Sequence, residues 1–258
     1  MRLLPALLAL VLGACVPGSS DAEAATLALR YHAGDQQTYR FHEVFTGALA
    51  AAGGQVQAIT FDLRAAQSTR VTAVDPDGTA TLEVELRDVT GTSNGQPLPA
   101  LGTQRYEMRV GPDGRVVAGG AGAGGGPVSV PSADQAFSIL PDHKVKPGDA
   151  WTRDYQRPNP LAPGSLEVHS ESRYLRDEQL AGVRSAVVET RLSTPVDQDL
   201  TVGERTLHET GTVSADVTTW LDAGAGRILK ARSSTRFDLS SAGYRLSGSQ
   251  TLDLERQA

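Results

Sequence analysis

Strict alternation of apolar and charged side chains is the feature that most limits the folds open to this chain. Between Thr81 and Val89, three apolar residues alternate with three charged ones, namely Leu82, Val84 and Leu86 with Glu83, Glu85 and Arg87. A period of two over this length is typical of an antiparallel strand with one face in the core and the other in solvent. The preceding Asp75-Pro76-Asp77-Gly78 carries Pro and Gly at positions that suit a type I turn.

Comparable strands separated by short turns continue along the chain. In the first half they are Tyr39–Phe45, Ile59–Val74 and a hairpin joining Arg105–Val110 to Arg115–Ala118, with an Ala/Gly turn at 48–54 and a loop at 91–102. In the second half they are Trp151–Gln156, Leu166–Leu175, Val183–Leu192, Leu207–Leu221, Ile228–Leu239 and Tyr244–Glu255. About 10–12 such strands predict an all-β antiparallel meander. Its sheets must curve into a half-barrel or pack as a sandwich, because their apolar faces need cover.

One short helix is predicted between two β units. Ser132 suits an N-cap, and Gln135 completes a capping box. The apolar side of this helix consists of Phe137, Ile139 and Leu140, and Pro141 ends it. The chain then divides into a signal peptide (1–14), a flexible lipid tether (15–26), a first β unit (27–118), a Gly-rich linker (119–131) and the helix with a second β unit (132–258).

Three landmarks occur twice in the same order, which raises the question of an internal duplication. Gly34-Asp35 with Tyr39 resembles Gly148-Asp149 with Trp151, Ser68–Val71 resembles Glu171–Tyr174, and Gly114–Val117 resembles Gly226–Leu229. Self-similarity is the sequence signal of a repeat. Turn chemistry also recurs by chance in β proteins, so two duplicated halves and a chance likeness both stay open.

The first residues of the chain predict a targeting signal rather than a part of the fold. Leu3–Leu12 is almost wholly apolar but shorter than the roughly 20 residues that span a bilayer. It suits the apolar region of a secretory signal peptide. Leu12-Gly13-Ala14-Cys15, which holds the only cysteine, resembles the lipobox of bacterial lipoproteins. That resemblance implies cleavage before Cys15 and stable membrane anchoring through acyl chains on Cys15; plain secretion, with cleavage after Ala22-Glu23-Ala24, is the alternative.

Charge and motif spacing exclude several functions. A net charge of −6 disfavours binding to nucleic acid. Gly91-Thr92-Ser93-Asn94-Gly95 matches a serine-hydrolase motif, but no helix can follow it, and residues 120–125 match a phosphate-loop pattern without the helix that such a loop needs. The five histidines lack metal-ligand spacing. We therefore expect no catalytic residue, metal or cofactor.

The interior of the sheets is the remaining place for a ligand. Small or polar residues on the inward faces, among them Ser233, Thr235, Gly248 and Gln250, indicate either shallow packing or a cavity. We expect shallow packing, because protein interiors normally close to high density. The two tryptophans, Trp151 and Trp220, are the candidate ligand-facing aromatics.

The stretch from Leu140-Pro141-Asp142 to Gly148-Asp149-Ala150-Trp151 is similar to one in uncharacterised β-rich envelope lipoproteins, and the overall plan resembles periplasmic half-barrel carriers of lipids and lipoproteins. These resemblances imply a non-catalytic, membrane-anchored binding module for an amphiphile or an envelope component. A structural lipoprotein that binds envelope proteins is the alternative, and a hydrolase requires Ser93 beside a histidine. The expected location is the periplasmic face of the outer membrane in Gram-negative cells, or the outer face of the cell membrane in Gram-positive cells.

Overall fold

The described part of the chain forms one antiparallel sheet of twelve strands. The computed structural model describes residues 23–51, 53–119, 136–159, 164–202 and 205–257. The strands are β1 (Gln36–Ala51), β2 (Val56–Val74), β3 (Ala80–Ser93), β4 (Gln96–Pro97), β5 (Gln104–Val110), β6 (Val116–Gly119), β7 (Ala150–Pro158), β8 (Ser165–Leu180), β9 (Val183–Val202), β10 (Arg205–Asp222), β11 (Arg227–Ser241) and β12 (Tyr244–Arg256). The predicted signal peptide and lipobox, and residues 120–131 of the predicted linker, lie outside the described residues.

The strand order makes the sheet a curled meander that nearly closes on itself. It runs β6-β5-β3-β2-β1-β12-β11-β10-β9-β8-β7, with β4 attached to β3 only. Consecutive strands pair from β1 to β4 and from β7 to β12, β5 pairs with both β3 and β6, and β1 pairs with β12 in the middle. The two edge strands, β6 and β7, approach each other without a hydrogen-bonded ladder. The predicted all-β class is therefore confirmed, in its curled, barrel-like form.

Most strands extend beyond the predicted limits. The predicted turn at 48–54 is partly strand, because β1 continues to Ala51 and β2 begins at Val56. The predicted loop at 91–102 likewise contains the end of β3 and the short β4. Ladders such as Gly47↔Gly248 and Ala48↔Ser247 explain the difference, since neighbouring backbones sustain the strand where side-chain alternation has faded. Between β10 and β11, the turn from Asp222 to Gly226 is closed by a 2.7 Å bond from the Gly226 amide to the Asp222 carbonyl.

One end of the sheet, which we call the base, is covered by the segments that precede β1 and β7. Leu27 and Leu29 of the first segment are buried, and the Leu29 amide donates to the Pro112 carbonyl at 2.7 Å. Ala25 pairs with Val145 of the second segment. The folded part thus begins before the predicted boundary at Leu27, because residues assigned to the tether already bond to the base.

The second covering segment corrects the predicted helix. Residues 132–135, including the predicted cap, lie outside the described residues, and residues 137–140 form neither helix nor strand. The Ser138 amide donates to the Thr219 hydroxyl at 2.8 Å, and the Ile139 amide donates to the Thr190 hydroxyl at 3.1 Å. These bonds replace those of a helix, and they hold Ile139 and Leu140 buried against the sheet. Local propensity gives way here to tertiary hydrogen bonding.

The turns before β1 and β7 are built alike, which supports the internal repeat. In the first, the Gly34 amide donates to the Val71 carbonyl at 2.9 Å, and the Val71 amide donates to the Asp35 carbonyl at 2.9 Å. In the second, the Gly148 amide donates to the Tyr174 carbonyl at 2.7 Å, and the Tyr174 amide donates to the Asp149 carbonyl at 3.0 Å. Two of the three sequence landmarks therefore meet in space in the same way in both halves.

An ion cluster bridges the seam between β6 and β7. Asp113, in the turn before β6, accepts from Arg115 at 2.6 Å and also from Arg153 of β7. Arg153 reaches Asp142 at 3.1 Å, and the Arg115 guanidinium lies 5.7 Å from the centre of the Tyr155 ring. In the absence of a ladder between these strands, charge-assisted bonds link the two sides of the seam, and the one between Arg153 and Asp113 joins two mostly buried side chains, whereas Asp142 is exposed.

We expect the substitution Arg153→Ala to loosen the seam without unfolding the sheet. Loss of its bond to the mostly buried Asp113 should lower the free energy of unfolding by about 1–2 kcal/mol. Chemical denaturation measures this loss, and hydrogen exchange should quicken first at the amides of β6 and β7. Arg232→Ala, which removes a pair between exposed side chains on the outer surface, is the matched control and should change stability by no more than about 0.5 kcal/mol. Equal losses in the two variants would contradict the role of the seam.

Candidate ligand-binding site

A cavity lies inside the sheet next to the covered base. Its volume is about 60 Å³, and its lining includes Tyr31, Phe41, Tyr106, Met108 and Leu252. Since one water needs about 15 Å³ on this measure, a few water-sized groups fit. The lining comes from strands on both sides of the β1–β12 pair and from the first covering segment. The cavity is therefore a product of the curled sheet.

The tyrosines of the cavity wall are neutral hydrogen-bonding groups. Burial raises the pKa of Tyr31, Tyr39 and Tyr106 above the usual value for a phenol, because the charged form would lose its water. The Tyr39 hydroxyl donates to the Ile228 carbonyl at 3.2 Å. The wall is largely apolar, and its polar part consists of these phenols together with Asp35, Gln37, Gln67, Thr69 and Arg227.

A buried carboxyl group, that of Glu43, lies beside this cavity. Glu43 is on the inner face of β1, two residues after Phe41, and faces Leu252 across the ladder to β12. The residue is only 5% exposed, and Gln250 donates to its Oε1 at 2.7 Å. Its Oε2 is buried without a hydrogen-bond partner among the described residues. Burial raises the pKa of Glu43 to about 7, against the opposing effect of the Gln250 bond.

Three phenylalanines continue the inner face away from the base. The Phe45 ring stacks on Phe237 with a centroid distance of 5.4 Å and lies 5.8 Å from Phe61. Glycines make room for two of these rings. A Cβ at Gly248 would be 2.8 Å from the Phe237 ring, and one at Gly47 would be 3.1 Å from the Phe45 ring. Both rings therefore lie along the wall, over backbone, instead of projecting across the interior.

Apolar residues on the inner face are less well covered at the end opposite the base, which we call the far end. There Leu49, Ile59 and Leu246, like the three phenylalanines, are only half-buried. At the base, by contrast, Leu27 and Leu254 are almost wholly buried. The interior thus grades from a closed, well-packed base to a partly exposed apolar wall.

Both interpretations of the small and polar inward residues apply, at different places. Ser233 and Thr235 are buried in a close-packed wall, and the Phe237 ring covers Gly248. This is the expected shallow packing. The cavity lies nearer the base, beside residues that carried no distinctive sequence signal. Glu43 was missed because alternation placed it among aromatic residues on one face, without indicating that the face is interior along its whole length.

The two candidate tryptophans are not among the residues that line the cavity. Trp151 is buried at the base, where its indole nitrogen donates to the Ile139 carbonyl at 3.1 Å. Trp220 lies on the outer face, where it donates to Glu178 at 3.1 Å and has the Lys230 ammonium 5.3 Å from its ring centre. One tryptophan therefore anchors a covering segment, and the other belongs to the outer surface.

The remaining motifs have ordinary structural partners. Ser93 ends β3 beside the Asn94-Gly95 turn, where the Asn94 amide donates to the Thr60 carbonyl at 2.8 Å. Within the described ranges, no hydrogen bond joins Ser93 to a histidine, and no group of His, Cys, Asp and Glu side chains is arranged to hold a metal. No helix in the described part of the chain combines the length and apolar character needed to cross a bilayer.

Comparison with known proteins adds no family: no protein-family model matches the chain, and a search of curated proteins found no match. The fold and the site therefore define the protein at the level of a class. It is an all-β protein whose single curled sheet encloses a cavity, a buried carboxyl group and an aromatic wall.

Proposed function

We propose that this protein is a lipid-anchored lipoprotein of the cell envelope that binds an amphiphile inside its curled sheet and does no chemistry on it. The lipobox-like Leu12-Gly13-Ala14-Cys15 supports the anchor at Cys15. The location is the periplasmic face of the outer membrane in a Gram-negative cell, or the outer face of the membrane in a Gram-positive cell.

The binding proposal rests on the incomplete burial of the apolar inner wall. Beyond the cavity, its phenylalanines and aliphatic side chains are only half-buried although they face inward. Interiors normally close around such groups, so an apolar wall left partly uncovered is suited to a ligand. The cavity is small, and an amphiphile would therefore place one end in it while the rest of the molecule lies along the wall toward the far end.

Mass spectrometry of the intact protein tests both parts of this proposal. Full-length protein expressed in a bacterium and extracted from membranes should carry diacylglyceryl on Cys15, and it should lose membrane association on Cys15→Ser. Under native conditions a bound small amphiphile should add a discrete mass, which Phe45→Trp should reduce by filling the wall. Phe45→Leu is the matched control that leaves space. Delipidated protein that takes up no amphiphile from mixed micelles would refute the binding function and leave the anchor intact.

A structural lipoprotein that binds envelope proteins is the second candidate. The observation in its favour is the size of the cavity, because about 60 Å³ is well below the volume of most ligand sites. Edge strand β7 has nine residues whereas β6, which approaches it at the seam, has only four, so part of the β7 edge has no β6 residue opposite and could accept a partner strand. Photocrosslinking from Thr152 of β7 in living cells should then capture one partner protein, and the same probe at Thr38 of β1, an interior strand of the sheet, should not.

A further inference from the structure

Glu43 is the side chain whose hydrogen bonding the fold leaves incomplete. Its Oε1 is bonded to Gln250, whereas its Oε2 is buried and unpartnered. A buried carboxyl oxygen without a donor loses its water and gains nothing in return. Phe41 and Leu252, which flank Glu43 on the inner face, both line the cavity. Glu43 itself is not among the lining residues, so a partner would have to reach Oε2 from the cavity, past these two neighbours.

No cation of the described residues forms an ion pair with Glu43, and Arg227, the cation among the residues that line the cavity, is paired with Asp222 at 3.3 Å. Its hydrogen-bond donor, Gln250, is a neutral amide, and the nearby Tyr106 is held neutral by burial. On the side toward the far end, the next inward residue of β1 is Phe45, stacked with Phe237 and close to Phe61. A carboxylate beside phenyl rings, without a protein counter-ion, is complementary to an organic cation.

We propose that the ligand is an amphiphile with an ammonium group, which donates to Oε2 of Glu43 while its apolar body lies along Phe45, Phe61 and Phe237 toward the far end. This inference rests on the proposed amphiphile-binding function and names its ligand class. The ammonium group enters first and takes the cavity side, and the chain leaves through the less covered end.

Charge distinguishes this ligand from other amphiphiles of the same shape. A fatty carboxylate would place a second negative charge beside Glu43, which is unfavourable at low dielectric. A fatty alcohol supplies a donor but no charge, and charge-assisted bonds are roughly twice as strong as neutral ones. The structure therefore favours the cationic ligand over both.

Calorimetric titration of delipidated full-length protein with octylammonium, octanol and octanoate tests the assignment, since the three probes share one chain length. At a pH of about 8, where the Glu43 carboxyl is largely ionised, the affinity for octylammonium should exceed the affinity for octanol by a factor of at least about ten. Glu43→Gln should remove most of that advantage and leave octanol binding within about threefold of its original value. Glu83→Gln, on the outer face of β3, is the matched control and should change neither.

The outcomes separate this inference from the function on which it rests. If all three probes bind equally well and Glu43→Gln changes nothing, the ammonium assignment is wrong and amphiphile binding survives. If octanoate binds best, the assignment is likewise wrong. If no probe binds the original protein, both proposals fail. A near-ultraviolet circular dichroism spectrum of Glu43→Gln that matches the original protein excludes misfolding as the cause of a lost signal.

Discussion

Replacing Gly91 by alanine should lower the free energy of unfolding by about 3 kcal/mol. Gly91 of β3 lies opposite Leu63 of β2, and an added methyl group would overlap the carbonyl oxygen of Asp62. The obstacle is backbone, so no side-chain rotation relieves it and the strand must shift. Gly211 has the same problem with the Asp238 carbonyl across the β10–β11 ladder, and Gly211→Ala should cost a similar amount.

Chemical denaturation of the two variants measures these losses. Gly102→Ala is the matched control, because a Cβ at Gly102 meets no atom within 4 Å. That variant should stay within about 0.5 kcal/mol of the original protein or gain slightly, since alanine restricts the unfolded chain. A loss below about 1 kcal/mol in both strand variants would show that β3 and β10 tolerate the methyl group, against the close backbone approach described above.

Replacing Glu43 by glutamine should stabilise the protein at high pH and hardly at all at low pH. The native pKa of about 7 exceeds the ordinary 4.5, so the native state holds a proton that the unfolded state releases between these values. The contribution of this protonation to the free energy of unfolding is therefore fully present below pH 4.5, falls as the pH rises, and is lost above pH 7. The shift corresponds to about 3 kcal/mol, and Glu43→Gln should recover most of it at a pH of about 8.

Denaturation curves of the original protein and of Glu43→Gln across this pH range test the expectation. The quantity of interest is the difference between their free energies of unfolding, because the titration of all other groups cancels in it. The difference should be small below pH 4.5 and should rise to its full value above pH 7. Glu83→Gln supplies the control for the chemical change at an exposed site of the same fold. A difference between the proteins that is independent of pH would mean that the carboxyl of Glu43 reaches water.

The loss of stability caused by the buried carboxyl group of Glu43 bears on function. A buried carboxyl group that destabilises the free protein is commonly retained for binding or catalysis, because stability and function compete at such sites. Here the group stands between a cavity and a wall of phenylalanines. A ligand that supplies the missing partner would recover stability on binding, so a raised melting temperature with octylammonium should accompany the calorimetric signal.

Strand identity was predictable because it rests on local pattern. Leu82, Val84 and Leu86 alternate with charges, and the structure buries all three. Strand ends were less predictable, as at Ala48–Ala51, where cross-strand bonds extend a strand through small residues. The helix predicted before Pro141 was wrong over residues 137–140, because the hydroxyls of Thr190 and Thr219, distant in sequence, bind its amides.

The candidate site was hardly predictable, for a related reason. Alternation assigns Glu43, Phe45 and Phe41 to one face of β1, but it does not say whether that face meets solvent, packed side chains or a cavity. Trp151 and Trp220 attracted attention as large aromatics, and the structure uses one at the base and the other on the outer face. The address at Cys15 remains a prediction from the motif.

By itself, the sequence determined that this chain forms antiparallel strands joined by tight turns, because side-chain period and turn chemistry act over a few neighbouring residues. Only the tertiary structure decided that β1 pairs with β12, that the sheet curls until β6 meets β7, and that Glu43 becomes an interior group. Those outcomes depend on contacts between residues far apart in the chain, such as Glu43 and Gln250, which are 207 positions apart, and no local pattern encodes them.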